Sequence, residues 1–339
     1  MNVAVLAHEK FPGRAKTAVG VLRYTDDDVV AVLDRENAGT RTTDHVEDVQ
    51  DAPVVASMDE IAEDEAVDAL VIGIAPIGGG FDESWRADVR TALERGCDVH
   101  AGLHYFLEDD EEFAALAAEH DCELWDVRKP PTDLGVADGS AADVDATVVA
   151  TVGTDCSVGK MTATRELYEA AREAGMDAAF AATGQTGILI EGAGIPVDRV
   201  VSDFAAGATE RLVVEAAAEH DYVFVEGQAS LVHPAYSGVT ASIVHGARPD
   251  YLVLCHEAGR ESVHGYDQDL PPVSSFPERY ETFAAPVCDA TLAGGMLNTR
   301  STESDADARD AVAEFSETIG APADDPVRFG PDSVLEVIR

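Results

Sequence analysis

Residues 146–162 read ATVVATVGTDCSVGKMT, an apolar run that passes directly into a glycine-containing loop and then into a helix-like segment. A strand, a glycine loop and a helix in this order are the context of a phosphate-binding loop. Glycines let backbone amides converge on an anion, the helix N-terminus adds partial positive charge, and Lys160 supplies a full one. The stretch therefore predicts an α/β domain with an anion site at its first helix. The predicted cofactor-binding residues are Gly153, Thr154, Asp155, Cys156, Ser157, Val158, Gly159, Lys160, Met161 and Thr162.

The loop departs from the common pattern in two ways. Its spacing is G-x5-G-K rather than G-x4-G-K, and Met161 stands where a magnesium-binding Ser or Thr usually follows the lysine. A phosphate site is therefore a firmer prediction than magnesium-nucleotide chemistry. We predict no resident metal, and we keep Thr162 and Glu226 as ligands in case Mg²⁺ is used.

A second motif follows the apolar run DYVFV, which delivers Glu226 at its end and continues as EGQASLVHPAYSG. A carboxylate and an imidazole in one strand-end loop suit a general base and its partner, so Glu226 and His233, with Asp155 of the loop, are the catalytic candidates. Gln228 and Ser230 are candidate substrate contacts. The alternative is a capping network among polar loop residues.

A third strand-end motif, CHEAGR at 255–260, contributes His256 and Arg260 as substrate-binding candidates. An arginine can form the bidentate clamp that a carboxylate substrate requires. It can equally pair with one of the chain's own carboxylates, and the sequence leaves both open.

Upstream, apolar runs at 3–7, 29–34 and 69–75 alternate with helical patterns. This rhythm predicts a parallel sheet with crossover helices, and we expect a Rossmann-like domain even though no G-x-G-x-x-G follows the first strand. A glycine-rich turn at 73–80 is a further ligand candidate, and the acidic run at 108–112 is predicted to be a solvated face. Loss of periodicity at 132–146 sets the predicted domains at 1–137 (Rossmann-like) and 138–339 (P-loop NTPase-like, mostly parallel sheet).

The charge balance is extreme, with 65 acidic and 23 basic residues among 339 and a formal net charge of −42. At about 1 M salt the Debye length is only ~3 Å, which screens such self-repulsion. We therefore expect a protein of a salt-accumulating cytoplasm that binds neither nucleic acid nor membranes. The five cysteines include no CxxC pair, and the N-terminus lacks the features of a signal peptide. A homo-oligomer with a small-molecule substrate is expected.

Further motifs extend the pattern over nearly the whole chain: VLDRENAGT (32–40), DALVIGIAP (68–76), GLHYFL (102–107), WDVRKPP (125–131), EGQASLVHPAYSGVT (226–240) and HGARPDYLVLCHEAGR (245–260). Together with the loop they resemble the D-glutamate N-acetyltransferase family, long catalogued as a domain of unknown function. The loop and the later strand ending in EG also look like dethiobiotin synthetase and its ATP-using relatives.

The resemblance implies acetyl transfer from acetyl-CoA, as cosubstrate, to the amine of an acidic amino acid, D-glutamate first among them. In this hypothesis the loop binds the phosphates of acetyl-CoA, Glu226 or His233 assists deprotonation of the amine, and Arg260 holds a substrate carboxylate. One alternative is an ATP- and Mg-dependent kinase or carboxylate-activating ligase. Another is a regulator that binds a nucleotide or CoA without turnover.

Overall fold

The computed structural model describes residues 1–76 and 79–339, which form two compact units. The first comprises residues 1–130 and 188–193, and the second comprises residues 131–187 and 194–339. Each unit contains its own parallel sheet. Among the described residues, no helix has both the length and the apolar character needed to cross a membrane.

The first unit is a Rossmann-like sheet with helices. In chain order its strands are β1 (Asn2–Leu6), β2 (Asp28–Leu33), β3 (Val54–Val55), β4 (Ala69–Ile72), β5 (Asp98–Ala101) and β6 (Leu124–Asp126), and its helices are α1 (Lys16–Tyr24), α2 (Arg86–Glu94) and α3 (Glu111–His120). The spatial order is β3-β2-β1-β4-β5-β6, and every adjacent pair is parallel. This order is that of the dinucleotide-binding fold, so the predicted Rossmann-like layout is confirmed.

The central strand β4 is apolar along its whole length, as expected where helices cover both faces of a parallel sheet. All four residues of β4 are buried. A Cβ atom at Gly73, just after β4, would lie 2.7 Å from Cβ of Ala18, so α1 approaches the strand end closely. Of the predicted ligand turn at 73–80, residues 77 and 78 lie outside the described residues.

The acidic run at 108–112 is only partly the solvated face that the sequence predicts. Glu108, Asp109 and Glu111 are exposed. For Asp110 the prediction is wrong. This residue caps α3 by accepting the N–H groups of Glu112 and Phe113, and its side chain is only 8% exposed. The guanidinium of Arg86, 2.8 Å away, holds the pKa of Asp110 well below its usual range.

The second unit is also built on one parallel sheet. Its strands are β7 (Thr147–Gly153), β8 (Ala178–Ala181), β9 (Tyr222–Val225), β10 (Tyr251–Glu257), β11 (Thr291–Asn298) and β12 (Ala323–Asp324), and the helices in this part of the chain are α4 (Lys160–Glu173), α5 (Gln185–Glu191), α6 (Ser202–Ala217), α7 (Ser237–Ala247), α8 (Phe276–Ala284), α9 (Asp305–Ile319) and α10 (Asp332–Ile338). The spatial order is β12-β11-β10-β7-β9-β8, again with every pair parallel. The predicted α/β class is confirmed for both units.

Strand β7 lies between β9 and β10 and sets the position of the loop that follows it. Its side chains alternate between two hydrophobic clusters, with Val148, Ala150 and Val152 in one and Val149 in the other. Because burial on both faces fixes the strand, its carboxyl end at Gly153 is held in place. The carboxyl ends of β9 and β10 meet at the same edge of the sheet.

Candidate functional site

The loop between β7 and α4 has the backbone of an anion-binding turn. Gly159 precedes the helix with φ of +104°, a conformation that favours glycine, and Ser157 has φ of +58°. Lys160 is buried, and its Nζ donates to the carbonyl oxygen of Asp155 at 2.8 Å. A Cβ atom at Gly153 would lie 2.8 Å from that Nζ, so glycine is required where the lysine passes over the start of the loop.

Two buried hydroxyl groups support the loop from below. Tyr280 of α8 donates to the carbonyl oxygen of Gly153 at 2.6 Å, and Ser230 donates to that of Thr154 at 3.0 Å. Burial raises the pKa of Tyr280 to about 12, so it remains a donor at neutral pH. Ser230, predicted to contact substrate, thus supports the loop, and Tyr280 is a contributor that the sequence did not reveal.

His256, at the end of β10, also holds the loop. Its Nδ1 lies 2.8 Å from Oγ1 of Thr154, and its ring stacks on Phe315. Burial, followed by the nearby Arg260 charge, lowers the pKa of His256 to about 4. The imidazole is therefore neutral at physiological pH and orients Thr154.

Arg260 pairs with carboxylates of this chain. It forms an ion pair with Glu257, and its Nη1 lies 3.7 Å from Oδ2 of Asp155. Arg300, which follows β11, reaches Oε1 of Glu257 at 2.7 Å. Two arginines thus share one glutamate at the edge of the loop, and Arg300 was not singled out from the sequence.

Asp155, Cys156 and His233 form what we call the thiol cluster. The sulfur of Cys156, a ring nitrogen of His233 and a carboxylate oxygen of Asp155 all lie within 4.8 Å of one another. His264 holds two members: its N–H donates to Oδ2 of Asp155 at 2.6 Å, and its carbonyl accepts from Nε2 of His233 at 3.2 Å. The bond to His264 leaves Nδ1 as the lone-pair nitrogen of His233, where it accepts the N–H of Ala235 at 3.3 Å. Sulfur, nitrogen and oxygen donors together also suit a borderline metal such as Zn²⁺.

Glu226 lies elsewhere at the same sheet edge. Its Oε2 accepts the N–H groups of Thr183 and Gly184 at 3.1 and 2.9 Å, and the side chain is buried. Gln228 donates to the carbonyl of Thr183 at 2.6 Å. This geometry matches the capping alternative for Glu226 and Gln228, and it places His233 with the loop.

The remaining loop side chains differ in exposure. Val158 is buried in the core with Leu167, so only its backbone can face a ligand. Ser157 is exposed, while Cys156, Met161 and Thr162 are half-buried. Cys156 is therefore an accessible nucleophilic side chain within the loop.

An open groove of about 850 Å³ adjoins this region. Leu231 and Val232, just before His233, form part of its lining. Its other walls come from α7 and α8, including His245, Arg279 and Phe283. Its volume is in the range of small-molecule and cofactor sites.

Two family models cover most of the chain. The DUF1611 C-terminal P-loop domain matches residues 135–335, and the DUF1611 N-terminal Rossmann-like domain matches residues 35–130; both are described as domains of unknown function. A crystal structure of a DUF1611 family protein from Anabaena variabilis superposes with a TM-score of 0.94 at 37% identity, covering 99% of this chain and 98% of that one.

Curated relatives carry a functional name. A D-glutamate N-acetyltransferase of Tritonibacter scottomollicae is 35% identical over 337 residues, which is 96% of this chain and 94% of that protein. One from Pseudoalteromonas sp. is 36% identical over 273 residues, or 78% and 80% of the two chains. The resemblance inferred from the motifs is confirmed, and the chain belongs to the DUF1611 family, together with these D-glutamate N-acetyltransferases.

Proposed function

We propose that this protein transfers the acetyl group of acetyl-CoA to the amine of D-glutamate without consuming ATP. The observation that carries the proposal is an anion-binding loop with an imidazole beside it, in a chain that shares 35% identity with a D-glutamate N-acetyltransferase over 337 residues. The loop supplies positive potential and the imidazole accepts a proton, which are the two requirements of acetyl transfer to an amine.

The donor brings negative charge to the loop. Acetyl-CoA carries a pyrophosphate and a ribose phosphate, and its carbonyl becomes an oxyanion in the tetrahedral intermediate. Converging amides and the buried Lys160 suit each of these anions. Met161, in place of the usual magnesium-binding hydroxyl, agrees with a loop that does not hydrolyse ATP.

The acceptor must lose a proton before it attacks. Of the two predicted bases, Glu226 already accepts the N–H groups of Thr183 and Gly184, whereas Nδ1 of His233 accepts one N–H among the described residues, that of Ala235 at 3.3 Å. We therefore assign to His233 the role of the base that accepts the proton of the substrate amine. Arg260 and Arg300, which share Glu257, give a carboxylate substrate two cations in a strongly acidic protein.

Two variants test these assignments in molar KCl. Lys160→Ala should weaken acetyl-CoA binding or slow turnover, and His233→Ala should lower kcat by ~10²–10⁴-fold with little change in acetyl-CoA affinity. Lys129→Ala is the matched control, because this lysine is exposed and forms its ion pair with Glu108, within the first unit. Normal binding and turnover in Lys160→Ala, or strict ATP dependence with ADP formation, would contradict the proposal.

A further inference from the structure

We propose that Cys156 carries the acetyl group as a thioester between acetyl-CoA and the amine, with His233 as the proton carrier. This inference rests on the proposed acetyl transfer and adds a covalent intermediate to it. It places the reacting end of acetyl-CoA, rather than its phosphates, at the loop.

The position of Cys156 suits a nucleophile. The thiol is half-buried and lies in a loop of converging amides before the 14-residue helix α4. Positive potential at a helix N-terminus and a nearby lysine favour the thiolate, which is the nucleophilic form of cysteine. The sulfur lies within 4.8 Å of a ring nitrogen of His233. Contacts between a nucleophile and its base are often long without substrate and tighten to hydrogen-bond distance when it binds.

The base is fixed in orientation by a third group, as covalent catalysis requires. The carbonyl of His264 accepts from Nε2 of His233, and the ring also stacks on Tyr236 with centroids 4.8 Å apart. Because Nε2 donates to His264, Nδ1 carries the lone pair that takes the thiol proton, and its long contact with the N–H of Ala235, at 3.3 Å, gives way when it does so.

Asp155 provides an independent sign that a polar ligand belongs here. Its side chain is fully buried, and Oδ1 has no hydrogen-bond partner among the described residues, while Oδ2 is held by His264. A buried carboxylate oxygen without a partner is costly unless a ligand satisfies it. The ammonium group of an amino acid substrate is such a ligand.

The reaction proceeds in two balanced steps, formation of the acetyl-cysteine thioester and its attack by the amine. The thiol proton of Cys156 passes to His233, the sulfur bonds to the acetyl carbon, the oxyanion is stabilised by the loop amides, and the bond to CoA breaks as the CoA sulfur takes the proton. The ammonium of D-glutamate then releases one proton to solvent, its amine attacks the acetyl-cysteine, and the second proton passes through His233 to the departing Cys156 sulfur. A thioester replaces a thioester in the first step, so no ATP is required.

The length of CoA also indicates which part of it the groove binds. The pantetheine arm spans about four residue lengths, so an extended arm separates sulfur from pyrophosphate by roughly 15 Å. With the thioester at Cys156, the phosphates lie outside the loop. The groove begins at Leu231 and Val232, just before His233, and carries Arg279 as a cation for them.

The first experiment looks for the intermediate. The full chain, in molar KCl, is mixed with acetyl-CoA without amine, and intact mass with peptide mapping is expected to show one acetyl group on Cys156. Added D-glutamate should remove it as N-acetyl-D-glutamate, and initial rates should give the parallel lines of a ping-pong reaction. Cys156→Ala and Cys156→Ser should lose both the adduct and turnover, whereas Cys288→Ser, a half-buried cysteine elsewhere in the unit, should keep both.

A truncated donor tests the groove. S-acetyl-N-acetylcysteamine, which has no phosphates, should still acetylate Cys156, and Arg279→Ala should raise KM for acetyl-CoA but not for this donor. Product formation without an adduct, with intersecting rate lines or with an active Cys156→Ala variant, would overturn the acetyl-cysteine intermediate. The proposed function would still stand. Failure of the wild-type protein to acetylate any amine would overturn both.

Discussion

The buried histidine beneath the loop gives a pH dependence whose size follows from the structure. Burial lowers the pKa of His256 from 6.5 to about 4. Between these values the unfolded chain binds a proton that the native state does not, so stability rises with pH. This contribution is complete above the unfolded pKa of 6.5 and is lost as pH falls toward about 4.

The magnitude follows from the pKa difference. At about 1.4 kcal/mol per pKa unit, the full contribution of His256 is about 3 kcal/mol. A fall from about pH 7 to about pH 5 should remove about 2 kcal/mol of it. The many carboxylates of the chain also titrate, so the comparison must isolate one side chain.

The His256→Asn variant isolates this contribution. Asparagine places a polar atom near the position of Nδ1, where Thr154 is bound, but it does not titrate. Urea unfolding in molar KCl at both pH values should show the wild-type protein losing about 2 kcal/mol more than the variant. Equal losses in the two proteins would show that the burial of His256 does not produce this pH dependence.

Three further perturbations test other parts of the structure. Thermal midpoints should rise from low to molar KCl because salt screens the −42 charge, and a flat midpoint would contradict this adaptation. Gly153→Ala should impair acetyl-CoA-dependent turnover by displacing Lys160. Gly13→Ala, in the first unit with open space around it, should keep activity; equal effects of the two substitutions would be inconsistent with the loop geometry. Tyr280→Phe should cost about 1–3 kcal/mol in urea unfolding because it leaves the Gly153 carbonyl unpaired, and an unchanged midpoint would argue against that bond.

The elements predicted best from the sequence are those whose signal is local. Strands β7, β9 and β10 are continuous apolar runs that end in polar residues, and buried parallel strands have that pattern. Strand β11 is not evident from the sequence, where Gly294 and Gly295 interrupt its apolar run. The structure explains both glycines: added Cβ atoms would lie 2.6 Å from the carbonyl oxygen of Pro322 and 2.5 Å from the ring of Phe315. Close packing of this kind depends on residues distant in sequence.

In the candidate site, too, local signals can be predicted from the sequence and contacts between distant residues cannot. The loop was found because its glycines and Lys160 are contiguous, and His233 because it follows a strand end. His264 acts through its backbone, which any residue type provides, so no sequence signal marks it. It lies 109 positions from Asp155, and Tyr280 lies 127 positions from Gly153. Which strand-end residues share a contact is decided by the order of strands in the sheet, and so Glu226 and His233 separate although they are close in sequence.

The product of the reaction decides whether this protein is an acetyltransferase that uses acetyl-CoA. The purified chain in molar KCl is given acetyl-CoA and D-glutamate, with L-glutamate and D-aspartate in parallel and with ATP present or absent, while free CoA and product mass are followed together. We expect CoA release to be matched by formation of N-acetyl-D-glutamate, at the same rate with or without ATP. Absence of CoA release with every amine, or product formation that requires ATP and yields ADP, would contradict the proposed function.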